Sequence, residues 1–323
     1  MTSALRLRAL VLVLSCVVLG LAFTFPWLKT PVLLALSNGL AVLGVIVLIR
    51  AGQVSFGHAM FSCMAGYGVA ALARGGLFGW QLDALLLIAL STAGTALIGG
   101  LIALFTMRYR DIFFGMLNLA LSMVLFSVLG KFGSVTGGTD GLRFDRPTLA
   151  WFALDRDRFE GALLVLALVL ALAAGWCVQR YFASVSGQAL AAIKTNETRL
   201  EYLGISAKRV FWGGSVLAAT LCGLGGSLFA LTQGLVTPEM GYWVRSGELV
   251  FIAILGGSGH ALGAFIGAFV FEFMKLYVAA WLTGMWQLVL GLILIAIVFA
   301  APTGIFGLLS KRLRLIAPRG EAR

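Results

Sequence analysis

Charged side chains are scarce in this sequence. Only 11% of the 323 residues are Asp, Glu, Lys or Arg, whereas 60% are hydrophobic, and the mean hydropathy is +1.00. This composition excludes an ordinary soluble domain and predicts an all-α protein that crosses a membrane many times. The apolar runs are long and continuous, unlike the short alternating segments of a membrane β-barrel.

Groups for catalysis, metal binding and ATP binding are equally sparse. The only histidines are His58 and His260, and no cluster has metal-ligand spacing. The four cysteines lie in apolar runs without a CxxC pair, so we interpret them as small buried residues. No GxxxxGK[ST] loop is present. The sequence predicts a protein that is not an enzyme and holds no cofactor, so its energy source must lie on another chain.

The net charge of +11 predicts membrane orientation rather than nucleic-acid binding, because the basic residues flank apolar runs. The interval 180–209 and the tail 303–323 are basic and predicted cytoplasmic, whereas the balanced loop 131–160 is predicted periplasmic. Six crossings before residue 180 and four after it give ten, or eight to nine if some segments are re-entrant. We interpret the first apolar run as an uncleaved membrane helix, with both termini cytoplasmic and 1–323 as one transmembrane domain.

Residues 180–209, called the platform below, form the longest polar interval of the C-terminal half. They lie between two apolar segments that are each long enough to cross a bilayer. An apolar stripe with the spacing of a short amphipathic helix runs through the platform: Ala189, Leu190, Ala192 and Ile193. Gly204 then offers a helix stop. A small helical platform at the cytoplasmic face predicts the docking of a soluble partner.

Two junctions rich in glycine and polar residues interrupt the apolar pattern. GQVSFGH at 52–58 either lines the translocation path or forms a tight turn between two membrane helices. TGGTDGL at 136–142 either shapes the outer mouth or forms a surface turn. With the break near 256–260, these junctions supply the candidate residues of the path or gate: Gln53, Ser55, His58, Thr139, Asp140, Ser258 and His260.

A third glycine-rich motif, LGGSGHALGAFIGA, occupies residues 255–268. Its glycines at 259, 263 and 267 predict a small-residue face for close helix packing, and its break marks a point where a discontinuous helix would bend. Further along, Glu272 and Lys275 share one helix face. We interpret this pair as anchors at the outer membrane interface, the alternative being a paired or functional site at membrane depth. Glu248, before the motif, is read as an interface residue first and a gate residue second.

Taken in order, these motifs resemble the permease subunit of ATP-driven importers of branched-chain amino acids, the leucine/isoleucine/valine family. The resemblance covers residues 35–308 and rests on GQVSFGH, TGGTDGL, SGQALAAIKTNE (186–197) with Gly204, LGGSGHALGAFIGA and PTGIFGL (302–308). It implies the second permease type of such importers, a bundle of about 8–10 transmembrane helices in the bacterial inner membrane.

The resemblance also implies partners and roles. In such importers the corresponding loop docks in a groove of the ATPase, which assigns coupling to these platform positions: Gly187, Ala189, Ala192, Ile193, Asn196, Glu197 and Gly204. A second, different permease chain, two ATP-binding cassette subunits that bind the ATP, and a periplasmic substrate-binding protein would complete the assembly in the lipid membrane.

The substrate and two other classes of protein stay open at this point. Related permeases move leucine-type amino acids, urea, amides or aromatic acids, and a path with few charges suits a net-neutral zwitterion or a small amide. An ion-coupled secondary transporter would need acidic residues in mid-membrane, and the sequence places none there clearly. A structural membrane subunit would have no use for the polar, glycine-rich junctions.

Overall fold

The computed structural model describes residues 3–75, 82–149, 151–152, 155–281, 285–300 and 303–313. Its described part is mainly helical: α1 (Ser3–Thr24), α2 (Lys29–Arg50), α3 (Ala59–Gly75), α4 (Ala84–Thr106), α5 (Asp111–Lys131), α6 (Gly133–Thr136), α7 (Arg156–Ala183), α8 (Val185–Ile193), α9 (Glu197–Tyr202), α10 (Ala207–Gln233), α11 (Trp243–Gly256), α12 (Ala261–Trp281), α13 (Trp286–Ala300) and α14 (Gly304–Leu313). A short antiparallel ribbon pairs β1 (Leu142–Arg143) with β2 (Leu235–Val236).

Six helical segments are long and apolar enough to cross a membrane: Pro26–Arg50, Ala84–Thr106, Asp111–Lys131, Arg156–Ala183, Ala207–Gln233 and Ala261–Val278. Four further helices, α1, α3, α11 and α13, lie where the charge pattern predicts the other crossings, and the count of ten stays a prediction. At ~1.5 Å per residue, α11 is only about two thirds of the thickness of a hydrocarbon core. Of the predicted tail 303–323, the part beyond residue 313 lies outside the described residues.

Helix α2 is buried on every side. Every residue from Ala35 to Leu48 is buried, and α7, α10, α11 and α12 all pack against this helix. Its apolar residues show no preferred face, which is the pattern of a helix buried all round. The other helices are therefore arranged around α2.

Small residues bring α10 into backbone contact with α2 and α3. A Cβ atom at Gly225 would lie 2.4 Å from the carbonyl oxygen of Ser37, and one at Gly226 would lie 2.1 Å from that of Ser62. The hydroxyl of Ser62 donates a 3.0 Å hydrogen bond to the carbonyl of Cys222 on α10. Close backbone approach of this kind is how membrane helices gain dispersion energy where no water drives them together.

The bundle has two distinct ends. The basic face, at one end, carries Arg50, Arg110 and the platform. The ribbon face, at the other end, carries β1 and β2, which tie the loop 131–160 to the end of α10. On this face the ammonium group of Lys29 donates a 2.6 Å hydrogen bond to Asp157, so α2 and α7 begin side by side.

Helices α11 and α12 form a hairpin at a break of four residues. The close-packing prediction is confirmed for Gly263 and Gly267: a Cβ there would lie 2.1 Å from the carbonyl oxygen of Gly257 and 2.4 Å from that of Ile252. The prediction is wrong for Gly259, which faces open space because it lies in the turn. Packing glycines come from both helices, so one helix face does not predict them fully.

We expect substitution of Gly226 by alanine to disrupt the bundle. The added Cβ meets the backbone of Ser62, which cannot move without shifting α3, so stability should fall by about 1–3 kcal/mol. The matched control is Gly213→Ala on the same helix, where nothing lies within 4 Å of an added Cβ and stability should be unchanged or rise by up to about 1 kcal/mol, because alanine favours the helix. Thermal unfolding of both purified variants in detergent measures the difference, and equal unfolding temperatures would contradict the packing described here.

Candidate functional site

The platform begins with a sharp turn between α7 and α8. The hydroxyl of Ser184 donates a 2.6 Å hydrogen bond to the carbonyl of Tyr181 and accepts one of 3.3 Å from the backbone N–H of Gly187. A Cβ at Gly187 would lie 2.0 Å from the Tyr181 carbonyl oxygen. Gly187 is therefore required by the turn and is buried, which makes it a poor direct contact for a partner.

The apolar stripe of α8 faces the interior of the chain. Ala189, Leu190 and Ile193 are buried and Ala192 is half-buried, while the Leu190 side chain comes within 3.0 Å of the Cβ position of Gly214 on α10. Most of this stripe is covered by α10 of the same chain, so its role as contact area for a partner stays a prediction. Periodicity identifies the residues that share a face but not the neighbour that buries them.

Among the mainly polar residues that the platform exposes are three large apolar ones outside the stripe. Val185, Tyr202 and Leu203 are 75%, 87% and 74% exposed. Sequence reasoning missed Val185 and Tyr202 as contacts. The available signal was the position of Tyr202 and Leu203 directly before the helix-stop glycine, where a side chain points away from the helix it ends. These three side chains are the candidates for a contact surface of the platform.

A charge clamp fixes α9 to the connection between α4 and α5. The guanidinium of Arg110 donates two hydrogen bonds to the Glu197 carboxylate, of 2.9 and 3.1 Å, and stacks 4.4 Å from the ring centre of Phe211. The side chain of Asn196 caps α9 by accepting a 2.9 Å hydrogen bond from the backbone N–H of Arg199. Asn196 and Glu197 thus hold the platform together, and their bonds are made within the chain.

Gly204 ends α9, as predicted. Its φ of +78° lies in the left-handed region, and its backbone N–H donates a 2.9 Å hydrogen bond to the carbonyl of Glu201. Nothing lies within 4 Å of a Cβ placed there. The requirement for glycine at this position is therefore conformational, and the space above it is open to a partner.

The junction 52–58 is a buried turn that contacts the platform. The side-chain carbonyl of Gln53 accepts a 2.5 Å hydrogen bond from the backbone N–H of Asp111 at the start of α5. The Ser55 hydroxyl accepts a 3.3 Å bond from the N–H of Gly57. A Cβ at Gly52 would lie 2.8 Å from the side chain of Lys194. Gln53 and Ser55 thus stabilise the turn, and the turn connects the α2–α3 connection to α8.

His58 is the member of this junction that faces internal space. Its ring is buried, lies edge-on to Phe61 at 5.6 Å, and borders a small cavity that Thr106, Asn118 and Ser215 also line. Its Nδ1 atom has no hydrogen-bond partner in the part of the chain that the structure describes. Of the three candidates in this motif, His58 therefore has the placement expected of a path residue.

The remaining candidates for the path do not gather around His58. His260 accepts a 3.1 Å hydrogen bond at Nδ1 from the N–H of Leu262 and stacks on Phe306 at 4.9 Å, so it caps α12 and holds α14. Ser258 lies in the same break, half-buried. Thr139 and Asp140 are exposed and follow α5 towards the ribbon face, away from the other candidates. The candidates therefore do not form one site.

A cluster of charged side chains lies inside the bundle, where α2, α11 and α12 meet. Arg245 donates a 2.6 Å hydrogen bond to the side-chain oxygen of Asn38 and another bond to Glu248. The side-chain amide of Asn38 donates to Glu272, and Lys275 lies 3.8 Å from Glu248. The interpretation of Glu248 and Glu272 as interface anchors is wrong, because both carboxylates are buried and paired with side chains of neighbouring helices, and Lys275 joins them as a half-buried partner.

No metal centre accompanies these charges: in the described ranges, no group of three or more His, Cys, Asp or Glu side chains has the geometry to hold a metal ion. What the geometry provides is a platform tied to the transmembrane helices and a neutral cluster of charges between three of them. An arrangement of this kind suits movement of a small solute across a membrane rather than a chemical reaction.

The comparisons with known proteins agree with this class. The family model described as "Branched-chain amino acid transport system / permease component" matches residues 30–298. The chain belongs to this family; it is a multi-pass membrane protein of the transport permease class and not an enzyme.

Among curated proteins, the "High-affinity branched-chain amino acid transport system permease protein LivM" of Escherichia coli (strain K12) is 25% identical over 191 residues, 53% of this chain and 45% of that protein. LivM of Salmonella typhimurium is 25% identical over 195 residues, which are 54% of this chain and 46% of that protein. The "Probable branched-chain amino acid transport permease protein LivH" of Methanocaldococcus jannaschii is 26% identical over 210 residues, which are 61% of this chain and 64% of that protein. The matches span about half the length of the LivM relatives, and no solved structure matches.

We expect the Arg110–Glu197 pair to stabilise the platform. Replacing either side chain by glutamine should cost about 1 kcal/mol, since the pair is bidentate but partly exposed, and the double variant should cost little more than one single variant. The rate of trypsin cleavage after the exposed Arg199 in the folded protein reports this opening. Glu201→Gln on the same helix is the control, and additive effects of the two clamp substitutions would contradict the clamp.

Proposed function

We propose that this chain is a transmembrane permease subunit of an ATP-binding cassette importer that moves branched-chain amino acids across the bacterial inner membrane. In this proposal its partners are a second permease chain, two ATP-binding subunits and a periplasmic substrate-binding protein. ATP binds to the partner ATPases, and this chain carries no cofactor. The observation that supports the proposal best is the way in which the platform is attached to the transmembrane helices.

Three attachments connect the platform to different helices. Leu190 packs against Gly214 of α10, Glu197 binds Arg110 between α4 and α5, and Lys194 contacts the turn after α2. A force applied to the platform therefore reaches helices on several sides of the core. An ATPase shifts the equilibrium between two permease states only through contacts that differ between them, and these attachments give such contacts a route.

The ATPase contact itself is proposed to lie on the outer side of the platform. The buried face of α8 is already occupied by α10, so the groove of the ATPase receives Val185, Tyr202 and Leu203 with the open space at Gly204. The positions carried over from the resemblance keep an indirect role: Gly187, Ala189, Ala192, Ile193, Asn196 and Glu197 shape and hold the platform that presents this surface.

Orientation follows from the same assignment. The basic face, with Arg50, Arg110 and the platform, is proposed to be cytoplasmic, as are both termini, and the ribbon face periplasmic. The loop 131–160 and the α10–α11 connection then lie on the side from which a substrate-binding protein would deliver the substrate. Their pairing through β1 and β2 gives that surface a fixed shape.

Two alternative functions remain open. An importer of the same family that carries urea, amides or aromatic acids is compatible with the platform, since only the solute differs. For an ion-coupled secondary carrier, the argument from missing acids no longer holds, because Glu272 is buried within a span. The match of the family model to residues 30–298 and the paired state of Glu272 favour the importer.

We expect Tyr202→Glu and Leu203→Glu to abolish binding of the ATPase. Each change places a charge on the exposed apolar surface without touching the interior of the chain, so the permease should fold normally and lose its partner. The measurement is co-purification of the ATPase with the tagged permease, followed by uptake of labelled leucine in cells.

The matched control is Val135→Glu, at a side chain that is 72% exposed and lies beyond the end of α5, towards the ribbon face. This variant should bind the ATPase as the native chain does. If both platform variants retain the ATPase and transport at the native rate, the docking surface proposed here is wrong, whatever the substrate.

A further inference from the structure

The proposed docking function does not explain the buried charge cluster. It contains two cations, Arg245 and Lys275, and two anions, Glu248 and Glu272, which together are neutral. Glu272 and Asn38 are buried, and Arg245 and Glu248 are largely so. Charges inside a membrane span cost several kcal/mol unless they are paired, and such residues mark the pathways of solutes and ions.

Asn38 bridges the opposite charges at the centre of this cluster. Its side-chain oxygen accepts the 2.6 Å hydrogen bond from the Arg245 guanidinium, and its side-chain nitrogen donates to the Glu272 carboxylate. The Asn38 amide therefore presents an acceptor to a cation and a donor to an anion. An amino acid presents the same two groups, with its carboxylate as the acceptor and its ammonium group as the donor. Asn38 thus occupies the position that a zwitterionic head group would take.

A small cavity adjoins the cluster between α2, α3, α10 and α11. Its walls include Asn38, Arg245, Ser62 and the backbone of Gly225 and Gly226, together with the apolar side chains of Phe229, Met240 and Leu249. The lining thus combines polar and apolar groups, and Glu272 lies next to the cavity through its hydrogen bond with Asn38. The cavity now has room for water only, so binding of an amino acid requires its walls to move apart.

We propose that this cluster is the site at which the permease binds the head group of its amino acid, with Arg245 holding the carboxylate and Glu272 the ammonium group. The inference rests on the proposed transport function and deepens it, because it selects zwitterions from the open substrate classes. A zwitterion displaces Asn38 without any change in net charge. Hydrogen bonds between charged groups are about twice as strong as neutral ones, so a zwitterion outcompetes urea or an amide at this site.

The test uses four compounds with one carbon skeleton. L-leucine carries both charges, L-leucinamide lacks the carboxylate, 4-methylpentanoate lacks the ammonium group, and 4-methylpentanamide has neither. Binding is measured to the purified permease–ATPase complex in lipid nanodiscs, without the substrate-binding protein, as displacement of labelled L-leucine. Loss of either charge should weaken binding roughly tenfold or more, and loss of both should weaken it further.

Variants then assign each charge to its residue. Arg245→Gln should bind L-leucine no better than L-leucinamide, and Glu272→Gln should bind it no better than 4-methylpentanoate, while Arg245→Lys restores part of the preference. If Arg245→Gln does not fold, the neutral double variant Arg245→Gln/Glu248→Gln replaces it. The control is Arg146→Gln/Glu160→Gln, which removes an ion pair between loop 131–160 and the first turn of α7 and should leave all four affinities unchanged.

The outcomes separate this inference from the docking proposal. If the complex forms with the ATPase but L-leucine does not bind, or all four compounds bind equally, the head-group site is wrong and the importer assignment stands. Substitutions at Arg245 and Glu272 that lower thermal stability without changing the preference for charge would also overturn it, since that is the behaviour of a structural latch. Failure of the ATPase to co-purify would instead count against the proposed function.

Discussion

Backbone contact between α2 and α10 is the constraint on which the rest of this structure depends. Helix α2 is covered by protein, and two glycines of α10, Gly225 and Gly226, lie directly against carbonyl oxygens of α2 and α3. In a membrane there is no hydrophobic drive between helices, so surface complementarity without intervening side chains supplies the attraction. The three helices form an inner unit, and α4, α5, α7, α11 and α12 pack around it. A structural change must therefore move helices against this unit rather than within it.

The platform is attached to several of the helices that would move in such a change. Its inner face packs on α10, its charge clamp reaches the α4–α5 connection, and it touches the turn after α2. The same contacts explain why its most regular residues are buried. The residues that suggest a docking helix fix this helix to its own bundle, and the proposed contact with a partner lies at exposed positions such as Tyr202. Recognition and transmission are thereby divided between the two faces of one short segment.

Charges within the bundle follow a different rule. A carboxylate or guanidinium inside a membrane requires partners, and here four charged groups and one amide satisfy one another between α2, α11 and α12. Because the set is neutral, its bonds exchange with those of a neutral but dipolar solute at small electrostatic cost. Helix α11 contributes to this arrangement through Arg245 in its first turn, which binds Asn38 of α2.

Periodicity, apolar run length and basic flanks determined the helical class, the approximate crossings, the position of the platform and the helix stop at Gly204, because these depend on local chemistry along the chain. Only the tertiary structure decided which face of α8 is covered, that Glu197 is bound by Arg110, and that Glu272 lies beside Asn38 rather than at the membrane surface. These are relations between residues far apart in the chain. A pattern within one helix carries no information about which helix will lie against it, and burial and pairing are properties of that neighbour.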